Sequence, residues 1–142
     1  MAIRLGARGA ALAFVALGPI LAAASAHADE RGFRSPSGNI HCAPEDGGLR
    51  CDVAERTFRP PQPRPRDCPL DYGGAVWMTP RGAASVMCAG DTILDPRRPV
   101  LPYGTAWKAA GGFECSSSPA GVRCANAAGR GWELSRDRLR LF

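Results

Sequence analysis

Cysteine is the residue type with the greatest chemical potential in this sequence, and its spacing is regular. The six cysteines are Cys42, Cys51, Cys68, Cys88, Cys115 and Cys124. Cysteines at this density can form disulfides, bind zinc or supply a reactive thiol. Zinc ligands usually come in C-x(2-4)-C pairs, whereas eight residues separate the members of both close pairs here. Because the sequence has neither a C-x-x-C motif nor an odd cysteine, we interpret the six as disulfide partners.

Local pattern selects among the pairings that these cysteines allow. Short apolar segments around Cys42 and Cys51 flank the turn-forming stretch Pro-Glu-Asp-Gly-Gly, which predicts a β-hairpin. Opposed residues at a non-hydrogen-bonded position have Cα atoms about 4.5 to 5.5 Å apart, which a disulfide tolerates. The same reasoning applies to the last two cysteines. We therefore predict three disulfides: Cys42 with Cys51, Cys68 with Cys88, and Cys115 with Cys124.

Residue types that perform catalysis are sparse. His41 is the only histidine after residue 28, and we expect it to face solvent from a strand rather than to act as a base. Asp91 and Glu114 could form an acid pair, but nothing in their spacing brings them together. Gly90-Asp91-Thr92 is more typical of backbone capping in a turn than of a ligand or calcium site. We predict no catalytic residue, no metal site and no cofactor.

Two further features have both a functional and a structural interpretation. Trp77, Trp107 and Trp132 could form a stacking platform for sugars, but tryptophans in a small domain are more typical of the core. The segment from residue 57 to 69 contains five prolines, which exclude a helix and a central strand. Its P-x-x-P spacing is one that recognition grooves bind. We favour a rigid crossover that Cys68 ties back to the domain.

The first 28 residues have the pattern of a secretory signal peptide. Arg4 and Arg8 precede an apolar run, and small residues follow at Ala26-His27-Ala28. The apolar run is too short and too interrupted for a membrane-spanning helix. We predict cleavage after Ala28, or otherwise after Ala26, and a soluble product in the periplasm or the medium. Residues 29–142 then form a single domain.

The amount and distribution of charge in the chain argue against nucleic acid as a partner. The chain has 18 basic and 13 acidic residues. Without Arg4 and Arg8 the net charge is +3, and the basic residues are scattered rather than grouped. A nucleic-acid interface needs a basic patch or stripe. We predict no nucleic-acid partner and no stable membrane insertion of the cleaved product, while a mild positive charge favours an acidic ligand.

Short strand-like segments separated by turn formers indicate an all-β fold. Ser35 to Gly38 suits a type I turn. The segments near residues 75–79 and 84–88 are predicted to form a second hairpin. Gly131 to Leu134 is the last predicted strand, and Ser135 is expected to cap a short C-terminal helical turn. The predicted fold is a small disulfide-stapled sandwich or partly open barrel of antiparallel hairpins.

The string Phe33-x-Ser35-Pro36-Ser37-Gly38-Asn39-Ile40-x-Cys42 resembles the opening of a family of small secreted bacterial proteins of unknown function. Later landmarks follow in order: Arg50-Cys51-Asp52, Pro60-Pro61, Cys88-x-Gly90-Asp91-Thr92, Tyr103-Gly104, Gly121-Val122-x-Cys124-x-Asn126 and Leu134-Ser135-Arg136. The resemblance implies secretion and a disulfide-stapled domain. It implies no activity and no functional residues.

These observations favour an exported, non-enzymatic binding protein of the envelope or extracellular space, with an acidic surface polymer or an acidic protein as ligand. The alternative is a secreted enzyme inhibitor in which the rigid hairpin from Ala43 to Leu49 is a preorganised insertion loop. An unrecognised hydrolase is a lesser alternative.

Overall fold

The computed structural model describes residues 29–142. The predicted signal peptide, residues 1–28, lies outside the described residues. Within residues 29–142 no helix has the length and apolar character needed to cross a membrane. The described chain is all-β, with ten strands in two antiparallel sheets.

The first half of the described chain forms sheet A, a five-stranded antiparallel meander in chain order. Its strands are β1 (Phe33–Arg34), β2 (Ile40–Glu45), β3 (Gly48–Val53), β4 (Asp71–Met78) and β5 (Ser85–Ala89). The predicted turn before β2 is present, because the Gly38 N–H donates to the Ser35 carbonyl at 2.8 Å. Alternation in β4 buries Val76 and Met78 on the inner face, as period-2 patterning requires.

The second half forms sheet B, which is also a five-stranded meander. Its strands are β6 (Ala106–Ala109), β7 (Phe113–Ser118), β8 (Gly121–Ala125), β9 (Gly131–Leu134) and β10 (Leu139–Leu141). In β7, buried and exposed residues alternate without interruption. Sheet B therefore has one face in the core and one face in solvent.

The two C-x8-C hairpins occupy the second and third strands of each sheet. Cys42 pairs with Cys51 in the strand register, and their Cα atoms are 4.1 Å apart across the disulfide. Cys115 and Cys124 have the same relation at 4.0 Å. The two bridges face each other, since the Cys51 and Cys124 sulfur atoms lie 3.9 Å apart. The sheets therefore pack as a sandwich with a pair of disulfides at its centre.

Aromatic side chains fill the sandwich around these disulfides. Trp132 and Phe33 are almost completely buried, and the Phe33 and Trp107 rings pack with centroids 5.2 Å apart. Phe33 belongs to sheet A and the two tryptophans belong to sheet B. Burial of each large ring stabilises the fold by roughly 1.5 to 3 kcal/mol. This contact holds the two sheets together beside the sulfur atoms.

Residues 90–105 connect the sheets and cross the outer face of sheet A, and we call this segment the strap. Three groups in a row across β3, β2 and β1 hold it. The Asp52 carboxylate accepts from the Ile93 N–H (3.0 Å), His41 Nδ1 accepts from the Asp95 N–H (3.1 Å), and the Arg34 carbonyl accepts from the Leu101 N–H (2.9 Å). The strap covers polar side chains that would otherwise face water.

The Pro-rich segment between β3 and β4 runs along the edge strand β5. A disulfide joins Cys68 to Cys88 with a Cα separation of 5.8 Å. The Gln62 side-chain oxygen accepts from the Val86 N–H at 2.9 Å, so a loop side chain satisfies a donor of the edge strand. This cover protects β5 from pairing with another chain.

The C-terminal helical turn that the sequence predicted is absent from the described residues. Ser135 instead begins the turn of a hairpin, in which its N–H donates to the Arg138 carbonyl at 2.8 Å. The chain then forms β10, with Leu139 buried and Arg140 exposed. The prediction was wrong because the alternation of leucine and arginine after residue 138 has the period of a strand, and this pattern prevails over the serine cap.

Candidate functional site

A groove of about 900 Å³ lies at one end of the sandwich, between the two sheets. We call it the end groove. Sheet A contributes the turn between β1 and β2 (35–40) and the start of the segment after β3 (54–55). Sheet B contributes the β7–β8 turn (118–121), the β9–β10 turn (135–138), and Tyr103 from the end of the strap.

The wall from sheet A is fixed by hydrogen bonds between short polar side chains and the backbone. The Ile40 N–H donates to the Ser35 hydroxyl at 3.1 Å, which holds the turn closed. The Asn39 side chain donates to the Glu55 carbonyl at 3.0 Å and accepts from the Glu55 N–H at 2.8 Å. Asn39 therefore joins the β1–β2 turn to the segment after β3.

The wall from sheet B is an ordered turn that carries charged side chains. The Arg138 N–H donates to the Ser135 hydroxyl at 3.1 Å, and that hydroxyl donates to the Asp137 carboxylate at 2.6 Å. The hydrogen bond from Ser135 is the main cause that holds the pKa of Asp137 below its ordinary value. Asp137 is an anion at neutral pH, and the two hydrogen bonds to and from Ser135 close the turn.

The two walls meet where the side chains of Arg136 and Glu55 form an ion pair. The Arg136 carbonyl also accepts from the Thr57 N–H at 2.8 Å. These contacts link sheet A to sheet B at the groove. They also neutralise Arg136, so its charge is already matched by the protein.

Two groups of the groove remain available for a ligand. Tyr103 is 49% exposed although it is a large aromatic residue. Arg138 is exposed, and its guanidinium forms no ion pair with any residue in the range 29–142. An aromatic ring and a free guanidinium are side chains that bind through stacking and through bidentate contact with anions.

Residues 12–142 match the Family of unknown function (DUF6636). The chain belongs to this family. No curated protein and no solved structure matches the chain. Because the description of the family names no activity, ligand or partner, the function has to follow from the groove itself.

Several landmark segments of the sequence converge on the end groove. The Ser-Pro-Ser-Gly-Asn string supplies the turn at 35–39, and the later landmarks supply Tyr103, Gly121, Ser135 and Arg136. These segments are far apart in the sequence and come from both sheets. The groove is therefore the place in the described residues where most of them meet.

His41 does not face solvent, which corrects the sequence prediction. It is 4% exposed under the strap, with Nε2 at 3.0 Å from the Gly38 carbonyl and Nδ1 accepting from Asp95. Burial is the largest cause that lowers the pKa of His41, and the charges of Arg98 and Arg34 lower it further. The ring is held neutral between two backbone groups, which is a structural role.

Arg50 forms the other buried polar cluster beneath the strap. Its guanidinium donates to Asp52 at 2.7 Å, and to Glu45 and Asp91 at 3.1 Å each. Burial lowers the pKa of Arg50, but the hydrogen bonds to Asp52, Glu45 and Asp91 together raise it more, so the net shift is upward. The Gly-Asp-Thr segment at 90–92 thus binds an arginine of the protein.

The acid pair considered from the sequence is not brought together. Asp91 lies beside Arg50 on the outer face of sheet A. Glu114 alternates with buried Cys115 in β7 and pairs with Lys108 at 3.3 Å on the outer face of sheet B. The two carboxylates therefore lie on opposite faces of the sandwich.

The disulfides of the structure join the same cysteine pairs that the spacing predicted. Among the described residues, the one group with metal-ligand spacing is Cys42, Cys51 and Cys124. All three sulfur atoms are in disulfides and completely buried. Metal binding by cysteine uses the thiolate, so this group is a part of the core.

The tryptophans do not form a joint platform. Trp107 and Trp132 are buried in the core, whereas Trp77 is partly buried on the other face of sheet A. Its indole N–H donates to the Glu45 carbonyl at 3.4 Å. The aromatic residue that is open to a ligand at the groove is Tyr103, which the sequence did not single out for binding.

The first hairpin presents a shorter loop than the Ala43 to Leu49 segment of the inhibitor hypothesis, because most of that segment lies in paired strands. Glu45 and Gly48 still pair in the strand register, so the exposed tip is Asp46 and Gly47 alone. Both have positive φ, at 49° and 75°, as a two-residue type I′ turn requires. Only these two residues project beyond the strand pairing.

The residues that sequence reasoning missed are Tyr103, Arg136 and Arg138. Arginine is frequent in this chain, so no single arginine carried a signal. Tyr103-Gly104 and Leu134-Ser135-Arg136 stood out only as landmarks. These residues come together only when the two sheets pack, and no local sequence pattern predicts that packing.

Proposed function

We propose that this protein is an exported, non-enzymatic binding protein that holds an acidic polymer of the cell envelope or its surroundings in the end groove. The observation that carries the proposal is the pair of available side chains, Tyr103 and Arg138, in a groove where the other arginine, Arg136, is already paired with Glu55. An aromatic ring can stack on a sugar ring, and a guanidinium can bind a carboxylate.

The wall residues support binding rather than catalysis. A general acid needs a raised pKa, whereas the Ser135 hydrogen bond lowers the pKa of Asp137. Glu55 is in an ion pair with Arg136. His41 is held by backbone groups beneath the strap and does not line the groove.

The disulfides support a location outside the cytoplasm. Three bridges in a domain of this size are typical of an oxidising compartment, such as the periplasm or the medium. The predicted signal peptide in residues 1–28 fits the same location.

The test is isothermal titration of the oxidised protein with polygalacturonate, a polymer of carboxylated sugars, and with neutral dextran. We expect saturable binding of polygalacturonate that weakens as salt is raised. Tyr103→Ala and Arg138→Ala are each expected to weaken binding about three- to tenfold, which is the size of one lost contact.

Arg66→Ala is the matched control for Arg138→Ala. Arg66 is exposed on the Pro-rich loop, forms no ion pair within residues 29–142 and does not line the groove. Arg66→Ala removes one positive charge, as Arg138→Ala does, but leaves the end groove unchanged. Absence of binding to both polymers, or binding that Tyr103→Ala and Arg138→Ala leave unchanged, would overturn the proposal. Capture of an acidic protein at the groove would replace the polymer as ligand.

A further inference from the structure

A second, shallower depression of about 240 Å³ lies on the outer face of sheet B, and we call it the side pocket. Serine hydroxyls of β7 and charged side chains of β8, β9 and the β9–β10 turn surround it. Its polar lining residues are Ser116, Ser118, Arg123, Glu133, Ser135 and Arg138. Ser118, Ser135 and Arg138 also line the end groove, so the two depressions are continuous.

The side pocket has a net positive charge. Arg140 donates two hydrogen bonds to the Glu133 carboxylate, at 2.7 and 3.1 Å. This pairing is the main cause that keeps the pKa of Glu133 below its ordinary value, so Glu133 is an anion matched by Arg140. The charged side chains that line the pocket are Arg123, Arg138 and Glu133, and two guanidinium groups with one carboxylate give a local charge of +1.

Arg123 is held in place before any ligand arrives. Its guanidinium carbon lies 4.1 Å from the centre of the Phe142 ring, and its Nε lies 3.7 Å from Glu133. The side chain is nevertheless 51% exposed. Stacking on an aromatic face fixes the plane of a guanidinium while leaving its N–H edge free for a carboxylate. This preorganisation lowers the entropic cost of binding.

We propose that the side pocket is the subsite for a carboxylated sugar unit of the polymer that occupies the end groove. Arg123 and Arg138 bind the carboxylate, and the hydroxyls of Ser116 and Ser118 hydrogen-bond to the sugar hydroxyls. The polymer crosses the β7–β8 turn between the two depressions. This inference rests on the proposed function and adds where the acidic group is recognised.

The experiment compares oligogalacturonate with its methyl ester, which keeps the sugar backbone and removes the charge. Titration calorimetry is expected to show about tenfold tighter binding of the acid form. Arg123→Ala should remove most of that preference by weakening binding of the acid form far more than binding of the ester, whereas Tyr103→Ala should weaken binding of both forms. Arg66→Ala should change neither.

Glu133→Gln should change the affinity for the acid form in the opposite direction to Arg123→Ala. It removes the one carboxylate of the pocket and frees Arg140, so binding of the acid form should tighten while binding of the ester stays the same. Thermal melts of each variant check that the fold is retained. Equal affinity for acid and ester, or a preference that Arg123→Ala leaves intact, would overturn the proposal that the side pocket is the carboxylate subsite. If Arg123→Ala leaves the preference intact, the proposed function still stands as long as Tyr103→Ala weakens binding of both forms. Equal affinity for acid and ester, or no binding of either form, overturns the proposed function as well.

Discussion

Sheet A and sheet B are built on the same plan but differ in what covers their outer faces. Each is a five-stranded meander with a disulfide between its second and third strands. The strap crosses the outer face of sheet A, and all six residues of β3 are buried. No segment within residues 29–142 crosses sheet B in this way, and Arg123 and Arg140 are exposed there.

The difference shows that the same kind of ion pair lies in two environments in one molecule. Arg50 and Arg140 both pair with carboxylates at 2.7 Å. Arg50 is 2% exposed and fixes the strap, while the side chain of Arg140 is 56% exposed. Burial makes the Arg50 cluster part of the fold, whereas the Arg140–Glu133 pair stays in contact with solvent.

The largest expected effect comes from removing Arg50. Arg50→Ala leaves the buried Asp52 carboxylate without its partner and releases Glu45 and Asp91. Breaking a buried ion pair in this way costs about 3 to 5 kcal/mol. Arg140→Ala breaks an exposed pair, which is worth less than about 1 kcal/mol. Urea unfolding of the two variants measures the contrast, and equal losses would mean that the strap does not depend on the cluster.

The two central disulfides allow a more balanced comparison. Both close a loop with a sequence separation of 9 residues, so the chain-entropy model gives each roughly 2.5 to 3 kcal/mol. We expect the double variants Cys42→Ala/Cys51→Ala and Cys115→Ala/Cys124→Ala to lose similar stability in urea. A loss at sheet B that is larger by about 2 kcal/mol or more would show that the strap holds sheet A when its disulfide is gone.

A smaller effect is expected at the turns of the two hairpins. At Gly47 (φ 75°) a Cβ would meet open space, so Gly47→Ala should cost about 1 kcal/mol through its left-handed backbone alone. At Gly121 (φ 128°) a Cβ would also collide with the Leu134 carbonyl oxygen on β9. Gly121→Ala should therefore lower the melting temperature more than Gly47→Ala does. The reverse order would contradict the close approach of β8 and β9.

Much of this fold could be predicted because its signals are local. The Asp-Gly pair of the first hairpin specifies a tight turn, and the eight-residue gap between Cys42 and Cys51 then places the cysteines opposite each other. Strand periodicity gave the all-β class. The C-terminal strand was missed because Ser135 is compatible with both a helix cap and a hairpin turn, and Leu139 to Leu141 is short.

The end groove could not be predicted because no local pattern specifies it. It depends on how the β1–β2 turn of sheet A packs beside the β9–β10 turn of sheet B, almost 100 residues later in the chain. The burial of His41 was not predicted for the same reason, because the strap that covers it is distant in the sequence. A strand residue next to a disulfide was expected to face water, but a connector of sixteen residues (90–105) covers that face.

The burial of His41 leads to the smallest expected effect, a pH dependence that belongs to sheet A alone. The pKa of His41 in the folded protein is lowered from about 6.5. Between that lowered value and 6.5, the unfolded chain therefore binds more protons than the folded protein does. The free energy of unfolding should fall as the pH drops below about 6.5 and level off below the folded pKa, because protonation removes the Nδ1 acceptor of the Asp95 N–H.

Urea unfolding between pH 5 and 7.5 isolates this effect, since aspartate and glutamate titrate mainly near pH 4. The groups that face the ring are the Gly38 carbonyl, the Asp95 N–H, and the cations Arg34 and Arg98. His41→Gln removes the titrating group, so its stability should be lower at pH 7.5 and nearly independent of pH across this range. Parallel pH profiles for the two proteins would assign the dependence to another group and leave the strap insensitive to protonation.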